Sequence, residues 1–261
     1  MPRCKERKMV HFVGAGPGAP DLITLRGAKL LEEADVVIYA GSLVNPELLK
    51  RCKATCETHN SAYLTLEQVL AIIERAEAGN KATVRLHTGD TAVYSTIREQ
   101  MVALEKMGIP YDITPGVSSF CAAAASAQAE YTLPGISQSV ILTRMEGRTP
   151  VPEREKIASL ASHGTSMVIF LSAGMLPALQ RELLQGAYTA DTPACIVYKA
   201  SWPEEKVLPC TVGTLASVGQ ENAVGKTALI LIGNFLNESF DRSCLYDPSF
   251  CTGFREKENA K

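Results

Sequence analysis

Short runs of β-branched and aliphatic residues alternate with amphipathic stretches along most of this chain, and the alternation restricts the fold more than any other feature. Runs at 10–13 and 36–39 flank a stretch at 21–34 in which leucine and alanine recur at helical spacing. The pattern is typical of α/β proteins, in which helices connect neighbouring strands. With 261 residues, the chain is long enough to form two lobes that each bury a core.

Capping residues predict the ends of individual helices. Thr65 and Gln68 have the spacing of a capping box, in which each side chain binds the other residue's backbone N–H, and Gly79 is suited to end the helix. A further helix is predicted to run from Tyr94 to Gly108. Both helices follow the alternating pattern, so the first half of the chain is predicted to be an α/β lobe.

Beyond residue 116 the pattern changes, because hairpin-like connections appear beside crossovers. An alanine-rich helix is predicted at 121–129. Strands are predicted at 139–143, 167–171, 194–198 and 228–232. We therefore predict an N-terminal α/β lobe over 9–115, a C-terminal α/β lobe over 116–240 and a polar tail over 241–261.

Composition and charge exclude several functional classes. The 26 basic and 28 acidic residues leave a net charge of -2 without any basic block, whereas non-specific nucleic-acid binding needs a basic surface. No apolar run is long enough for a signal peptide or a membrane span. We therefore expect a cytoplasmic protein with neither nucleic acid nor membrane as its partner.

The cysteines do not predict a metal site or a disulfide. Eight are present, and none forms a C-x-x-C pair. Cys52, Cys56 and His59 are residue types that bind metal ions, but no fourth ligand follows at zinc-like spacing. Free cysteine is common in apolar cores, and disulfides are rare in the cytoplasm.

Two glycine motifs resemble nucleotide sites without meeting their requirements. Residues 14–19 follow a strand as a dinucleotide loop would, but Pro17 and Pro20 remove two backbone N–H donors. The acid that would bind the ribose is also missing from the end of the second strand, since Asp35 lies at its beginning. Residues 225–227 resemble the end of a phosphate-binding loop, but they precede a predicted strand where that loop would open a helix.

Several motifs taken in order resemble the tetrapyrrole methyltransferase family. They are 13–18 with 21–24, Thr88-Gly89-Asp90 with Tyr94, 114–119, 169–172 and 227–230. The resemblance extends from residue 10 to about residue 255. It implies an α/β fold of two lobes with S-adenosylmethionine in the cleft between them, which is not the Rossmann methyltransferase fold. S-adenosylhomocysteine would be the product of the cofactor.

Further segments are similar to one branch of that family, which methylates C11 of precorrin-4. These segments are 138–144, 146–152, 198–204, 233–236 and 245–250. The last of them, followed by Phe254 and Arg255, favours the form that acts on cobalt-precorrin-4 in anaerobic cobalamin biosynthesis. The chain departs from the family at Thr91 and Ser95, where Pro and Gly are usual, and at Gly135, where an acid is frequent.

Methyl transfer from a sulfonium is an in-line displacement, so the enzyme mainly has to hold donor and acceptor in position. The acceptor is a ring carbon of the tetrapyrrole, which requires no nucleophilic side chain. Small residues let the backbone approach a cofactor closely. The resemblance implies that the cofactor is lined by Pro17, Gly89, Asp90, Thr91, Ser118, Ser119, Leu171, Ala200 and Ala228.

The tetrapyrrole carries acetate and propionate arms, which cationic side chains would bind. Arg144, Arg148 and Lys199 are the candidates, because they lie in the branch-specific segments. Trp202, the only tryptophan, is predicted either to stack on the macrocycle or to serve as a buried anchor. Asp90 and Tyr94 are the candidates for moving a proton.

Alternatives stay open at this point. The substrate could be metal-free precorrin-4, or methylation could occur at C17, at C2 or in the sirohaem branch. The chain could instead be a non-catalytic cofactor or tetrapyrrole carrier. A nicotinamide dehydrogenase would be protected against unfolding by NAD and not by S-adenosylhomocysteine. The resemblance also implies a homodimer.

Overall fold

The computed structural model describes residues 9–237, 239–247 and 250–255. The chain divides into two compact units. The first runs to Ala122 and takes in Lys199–Glu205, and the second comprises Ala123–Tyr198 and the chain from Lys206 onward. The predicted domain bounds stay predictions, since compact units are defined by contacts and domains by independent folding.

The first unit contains a sheet of five parallel strands in the order β3-β2-β4-β1-β5. The strands are β1 (Val10–Gly14), β2 (Val36–Tyr39), β3 (Glu57–Asn60), β4 (Thr83–His87) and β5 (Tyr111–Thr114). The helices are α1 (Leu25–Glu33), α2 (Leu66–Ala78), α3 (Ile97–Met107) and α4 (Ser119–Ser126), the last of which crosses the boundary at Ala122. Because all strands run in parallel, their carboxyl ends and the loops that follow lie at one edge.

Both faces of this sheet are buried. Successive residues of a strand point to opposite faces, so Phe12 packs with Ile73 and Leu104 on one side, while Val13 packs with Leu31 on the other. Burial on both faces explains why β2 is apolar throughout and why the buried residues of β1 lack polar side chains. The strand β4 is also buried, although it contains Arg85 and His87. Apolar burial of this kind is the main term that stabilises the unit.

The second unit contains a mixed sheet in the order β6-β7-β10-β8-β9. The strands are β6 (Val140–Arg144), β7 (Ser166–Phe170), β8 (Pro193–Tyr198), β9 (Lys206–Thr211) and β10 (Ala228–Ile232). Only β6 and β7 are parallel, and the other neighbours are antiparallel. The helices α5 (Ile157–Ala161), α6 (Leu176–Leu183) and α7 (Leu215–Glu221) pack with this sheet around a core that includes Ile169, Leu179 and Ile196.

The predicted fold class is confirmed, and so is the capping box of Thr65 and Gln68, whose helix α2 ends at Gly79. Two predicted helix starts are wrong. Asp21 lies in a single 3-10 turn, and α1 begins only after Thr24, whose side chain caps it. Tyr94 precedes α3 in a left-handed backbone conformation that a helix cannot contain.

The tail beyond residue 240 has one short 3-10 turn, Cys244–Tyr246, and no strand in the part that is described. Arg255 organises it by donating hydrogen bonds to the carbonyls of Leu245, Asp247 and Phe250. Residues 248, 249 and 256–261 of the predicted tail, and Cys4 near the other terminus, lie outside the described residues. No helix in the described ranges is long and apolar enough to cross a membrane.

Candidate cofactor and substrate site

Three glycines at the carboxyl ends of β1, β4 and β5 pack backbone against backbone. A Cβ atom added to Gly14 would lie 2.6 Å from the Cα of Gly116 and 2.6 Å from the carbonyl oxygen of Gly89. A Cβ added to Gly116 would lie only 2.2 Å from that same oxygen. Gly16 and Gly89 also exchange two backbone hydrogen bonds, of 3.2 and 2.8 Å. Glycine at these positions therefore lets three loops meet.

Asp90 joins two of these loops. Its Oδ1 accepts a hydrogen bond of 2.8 Å from the N–H of Ala92, and its Oδ2 accepts one of 2.7 Å from the N–H of Gly116. The hydroxyl of Ser95 donates to the carbonyl of Asp90 at 3.1 Å. Hydrogen bonds to a carboxylate are stronger than those between neutral groups, so this side chain holds the loop after β4 against the loop after β5.

The other predicted residues of this loop cluster lie close by. Gly89 has a φ of +63°, and a Cβ there would be 3.6 Å from the Cα of Ser118 and 3.5 Å from the backbone nitrogen of Ser119. Thr91 is buried, whereas Tyr94 is 44% exposed. Tyr94 and Thr96 have φ angles of +55° and +50°, which are uncommon for residues other than glycine and concentrate at functional sites.

The loop that follows β1, residues 15–19, is called the first glycine loop, and side chains from elsewhere in the same unit hold it in place. The indole N–H of Trp202 donates to the carbonyl of Pro17 at 3.1 Å, and the hydroxyl of Ser201 accepts from the N–H of Ala19 at 3.0 Å. The amide of Asn45 donates to the carbonyl of Gly18 at 2.9 Å. Sequence reasoning missed Asn45 and Ser201, and the available signal was the pair of prolines that leaves this loop short of backbone partners.

Lys199 and Trp202 are also in contact with each other. The Nζ atom of Lys199 lies 5.5 Å from the centroid of the Trp202 ring and 3.4 Å from a carboxylate oxygen of Glu204. The neighbouring Ala200 is buried. The segment therefore brings Lys199, Ala200 and Trp202 together with Pro17, and the Lys199 ammonium has an acid and an aromatic partner.

In the second unit, Leu171 and Ala228 lie at one edge of the sheet. Leu171 follows β7 with a φ of +54° and is 65% exposed, and Ala228 begins the antiparallel neighbour β10. The buried hydroxyl of Ser172 accepts from the N–H of Met145 at 2.9 Å and donates to the carbonyl of Phe170 at 2.7 Å. Ser172 thereby ties the loop after β7 to the loop after β6.

The two candidate arginines of this unit have different environments. The guanidinium of Arg144 donates to the carbonyls of Thr149 and Pro150, at 3.2 and 2.8 Å, so it shapes its own loop. Arg148 lies in that loop and is exposed to solvent. Arg148 is thus better placed than Arg144 to meet an anionic ligand, because it is exposed, whereas the guanidinium of Arg144 holds backbone carbonyls.

Two buried basic residues of β4, Arg85 and His87, were not predicted. Arg85 donates to the side-chain oxygen of Gln100 at 3.0 Å and to the carbonyl of Ile38 at 3.1 Å. Burial lowers the pKa of Arg85 to about 10. Burial, and secondarily the charge of Arg85, lowers the pKa of His87 to about 3, so His87 is a neutral core residue at pH 7.

Cys52 and Cys56 precede β3, the outer strand of the first sheet, and His59 lies in that strand. Burial is the main cause that raises the pKa of Cys56 to about 11, and the nearby thiol of Cys52 adds to it. Protonated thiols are poor metal ligands. Among the described residues no group of three or more His, Cys, Asp or Glu side chains is arranged to hold a metal ion.

Residues 9–216 match the family model of the tetrapyrrole (corrin/porphyrin) methylases. A cobalt-precorrin-4 C(11)-methyltransferase of Methanocaldococcus jannaschii is 47% identical over 250 residues, which are 95% of this chain and 96% of that protein. A precorrin-4 C(11)-methyltransferase of a Sinorhizobium species is 44% identical over 94% of this chain and 98% of its own length.

Solved structures agree with these relatives. A cobalt precorrin-4 methyltransferase superposes with a TM-score of 0.87 at 45% identity, covering 91% of this chain and 99% of that one. A uroporphyrin-III C-methyltransferase from Thermus thermophilus, in complex with S-adenosylhomocysteine, has a TM-score of 0.74 at 27% identity, covering 87% of this chain and 98% of the other. This chain therefore belongs to the tetrapyrrole (corrin/porphyrin) methylase family.

Proposed function

We propose that this protein transfers the methyl group of S-adenosylmethionine to C11 of cobalt-precorrin-4. The observation that carries the proposal is the match, over nearly the whole length of both chains, to relatives that methylate this position. The predicted loop motifs of the family also meet in the structure, at Gly14, Gly89 and Gly116. A nicotinamide site is disfavoured, because the first glycine loop lacks two N–H donors.

The glycine loops of the first unit fit a cofactor that needs close backbone approach. Gly16 and Gly89 have φ angles of +82° and +63°, which favour glycine, and a Cβ added to Gly16 would lie 2.8 Å from the carbonyl oxygen of Leu22. Leu171, exposed in a strained conformation, is the feature of the second unit that fits a role in binding. We assign the cofactor to Pro17, Gly89, Asp90, Thr91, Ser118, Ser119, Leu171, Ala200 and Ala228.

S-adenosylmethionine supplies an activated methyl group. The chain therefore has to align the methyl donor with the acceptor carbon and to exclude water. The carboxylate of Asp90 fixes the loop geometry through the N–H groups of Ala92 and Gly116, which we propose to be its main role. Tyr94 is the proposed residue for proton transfer after methylation. His87 is excluded from that role, since it is buried, and its pKa of about 3 makes it a weak base.

Carboxylate arms of the tetrapyrrole would bind Arg148 and Lys199, with Arg144 shaping the loop that carries Arg148. Replacing Arg148 by Ala is expected to raise the KM for the tetrapyrrole about tenfold, because one charge-assisted hydrogen bond is lost. Arg154→Ala is the matched control, since Arg154 is also exposed in the second unit and is assigned no role. Equal KM values for the two variants would contradict this role for Arg148.

The reaction itself is tested by anaerobic incubation with S-adenosylmethionine and either cobalt-precorrin-4 or metal-free precorrin-4. Mass spectrometry should find one added methyl group on the cobalt substrate and little on the metal-free one, and NMR should place it at C11. Methylation of the metal-free substrate alone would favour the aerobic reaction. Binding of S-adenosylhomocysteine without methylation of either substrate would refute the substrate assignment.

We also propose that the protein is a cytoplasmic homodimer, as the family resemblance implies. The side chains of Leu245, Tyr246 and Phe254 are exposed apolar surface that a second copy could cover. Sedimentation equilibrium should give twice the mass of 28.1 kDa. A monomer at all concentrations would contradict the proposal.

A further inference from the structure

Three consecutive residues of the first glycine loop have backbone groups whose hydrogen-bond partners, within the described part of the chain, are side chains. These groups are the carbonyls of Pro17 and Gly18 and the N–H of Ala19, which bind Trp202, Asn45 and Ser201. Buried backbone groups normally pair with other backbone groups. Here Pro17 and Gly18 are buried just after the strand ends, so the loop depends on these side chains to keep its path.

The Trp202 ring also fills the space in which Gly18 would carry a side chain. A Cβ added to Gly18 would lie 2.1 Å from both the Cδ1 and the Nε1 atoms of the indole. The contact and the hydrogen bond to Pro17 act together, because both depend on the same ring orientation. Trp202 is 185 positions away from Pro17, so the segment that carries it must be fixed independently.

That segment is held in an unusual conformation by contacts of its own. Lys199 and Ser201 have φ angles of +48° and +68°, which residues other than glycine rarely adopt. The N–H of Ser201 donates to the carboxylate of Glu205, and Lys199 pairs with Glu204 at 3.4 Å. Strained residues persist only where the surroundings over-determine them, and they concentrate at functional sites.

We propose that Trp202 is a positioning residue which, with Ser201, fastens the backbone at 17–19 so that this loop is preorganised for the cofactor. The inference rests on the proposed function, since it takes S-adenosylmethionine as the ligand of that loop. It also replaces the prediction that Trp202 stacks on the macrocycle. The indole N–H is already donated to Pro17, and the ring packs against Gly18 on one side and meets the ammonium of Lys199.

Trp202→Phe tests the proposal, because phenylalanine keeps an aromatic ring and loses the N–H donor. We expect the Kd for S-adenosylhomocysteine, measured by calorimetry, and the KM for S-adenosylmethionine to rise about tenfold. The kcat at saturating cofactor and the KM for the tetrapyrrole should stay within about twofold, since binding energy restores the loop. Ser201→Ala should shift the same two constants in the same direction.

Tyr63→Phe is the matched control. Tyr63 is an aromatic residue of the same unit and is 85% exposed, and its substitution by phenylalanine also removes one polar group. It should leave all four constants unchanged. An unchanged Kd for S-adenosylhomocysteine in Trp202→Phe, together with a raised KM for the tetrapyrrole in Trp202→Ala, would overturn the proposal in favour of stacking on the substrate. A purely structural role would lower thermal stability without separating the two KM values.

Since Trp202 is the only tryptophan, its fluorescence reports on the contact without any ligand. Gly18→Ala should displace the indole, shift its emission to the red and increase quenching by acrylamide. Unchanged emission and quenching would overturn the contact. If the unmodified protein failed to bind S-adenosylhomocysteine, the proposed function would fail, while the Gly18→Ala fluorescence would still decide whether Trp202 fastens the loop.

Discussion

The loops at the sheet edges of the two units are held together by different means. In the first unit, Gly14, Gly89 and Gly116 pack main chain on main chain, and a carboxylate bridges two loops. In the second unit, a hydroxyl at Ser172 and a guanidinium at Arg144 do the corresponding work. Main-chain packing leaves no room for any side chain, whereas side-chain anchors leave room for variation nearby.

The two cores also differ in the kind of polar side chain that they bury. Among the described residues, the buried polar side chains of the first unit include Arg85, His87 and Gln100. Those of the second unit are the side chains of Thr143, Ser166 and Ser172. Their hydroxyl groups are uncharged, and each donates a hydrogen bond to a backbone carbonyl. Sensitivity to acid should therefore be concentrated in the first unit.

Gly116→Ala is expected to have the largest effect on stability. The added Cβ would lie 2.2 Å from the carbonyl oxygen of Gly89, and a main-chain atom cannot move aside cheaply. The free energy of unfolding should fall by about 3 kcal/mol or more, measured by urea denaturation. Gly147→Ala in the second unit is the control, because its nearest neighbour would be the flexible end of Met175 at 3.6 Å. Equal stability of the two variants would remove the contrast.

Asp90→Ala should be next, with a loss of about 2 kcal/mol, since two backbone N–H groups lose a charged acceptor. Asp90→Asn should lose less, because the amide oxygen can still accept one of these hydrogen bonds. Urea denaturation and kcat should be measured on the same samples. A fall in the kcat of Asp90→Asn by a factor of about a thousand, at unchanged stability, would show that the carboxylate takes part in chemistry instead of loop structure.

Acid should destabilise the protein through His87. Its pKa is lowered from 6.5 to about 3 in the folded protein, so unfolding takes up a proton between these two values. Stability should therefore fall as the pH drops below 6.5, by up to about 1.4 kcal/mol per pH unit. His87→Leu should have a shallower slope of unfolding free energy between pH 6.5 and 4, and an identical slope in both proteins would contradict the prediction.

Ser172→Ala should have the smallest effect, about 1 kcal/mol, because one hydroxyl is lost and the N–H of Met145 loses its acceptor. The measurement is again urea denaturation, with Ser217→Ala as a control, since the Ser217 hydroxyl lies at the exposed side of α7. A loss as large as that of Gly116→Ala would show that the second unit is as intolerant of change as the first.

The strands that sequence reasoning missed have a common physical reason. β3 and β9 are the outer strands of their sheets, with one neighbour each. Residues 57–60 are all polar, and β9 contains Pro209, which an outer strand tolerates because it lacks a second neighbour to receive an N–H. The inner strands β2 and β10 were predicted at their observed bounds, and β7 and β8 within one residue of theirs, since burial on both faces imposes an apolar run.

By itself, the sequence determined the alternation of strands and helices, the capping of α2 and the family to which the chain belongs. These properties follow from residues close to one another along the chain. Only the tertiary structure decided that Asp90 holds Gly116 and that Trp202 holds Pro17. Local sequence patterns indicate burial and backbone preference. Contacts between residues that are distant in sequence depend on the path of the whole chain, and these contacts decide where the loops lie and which roles their residues have.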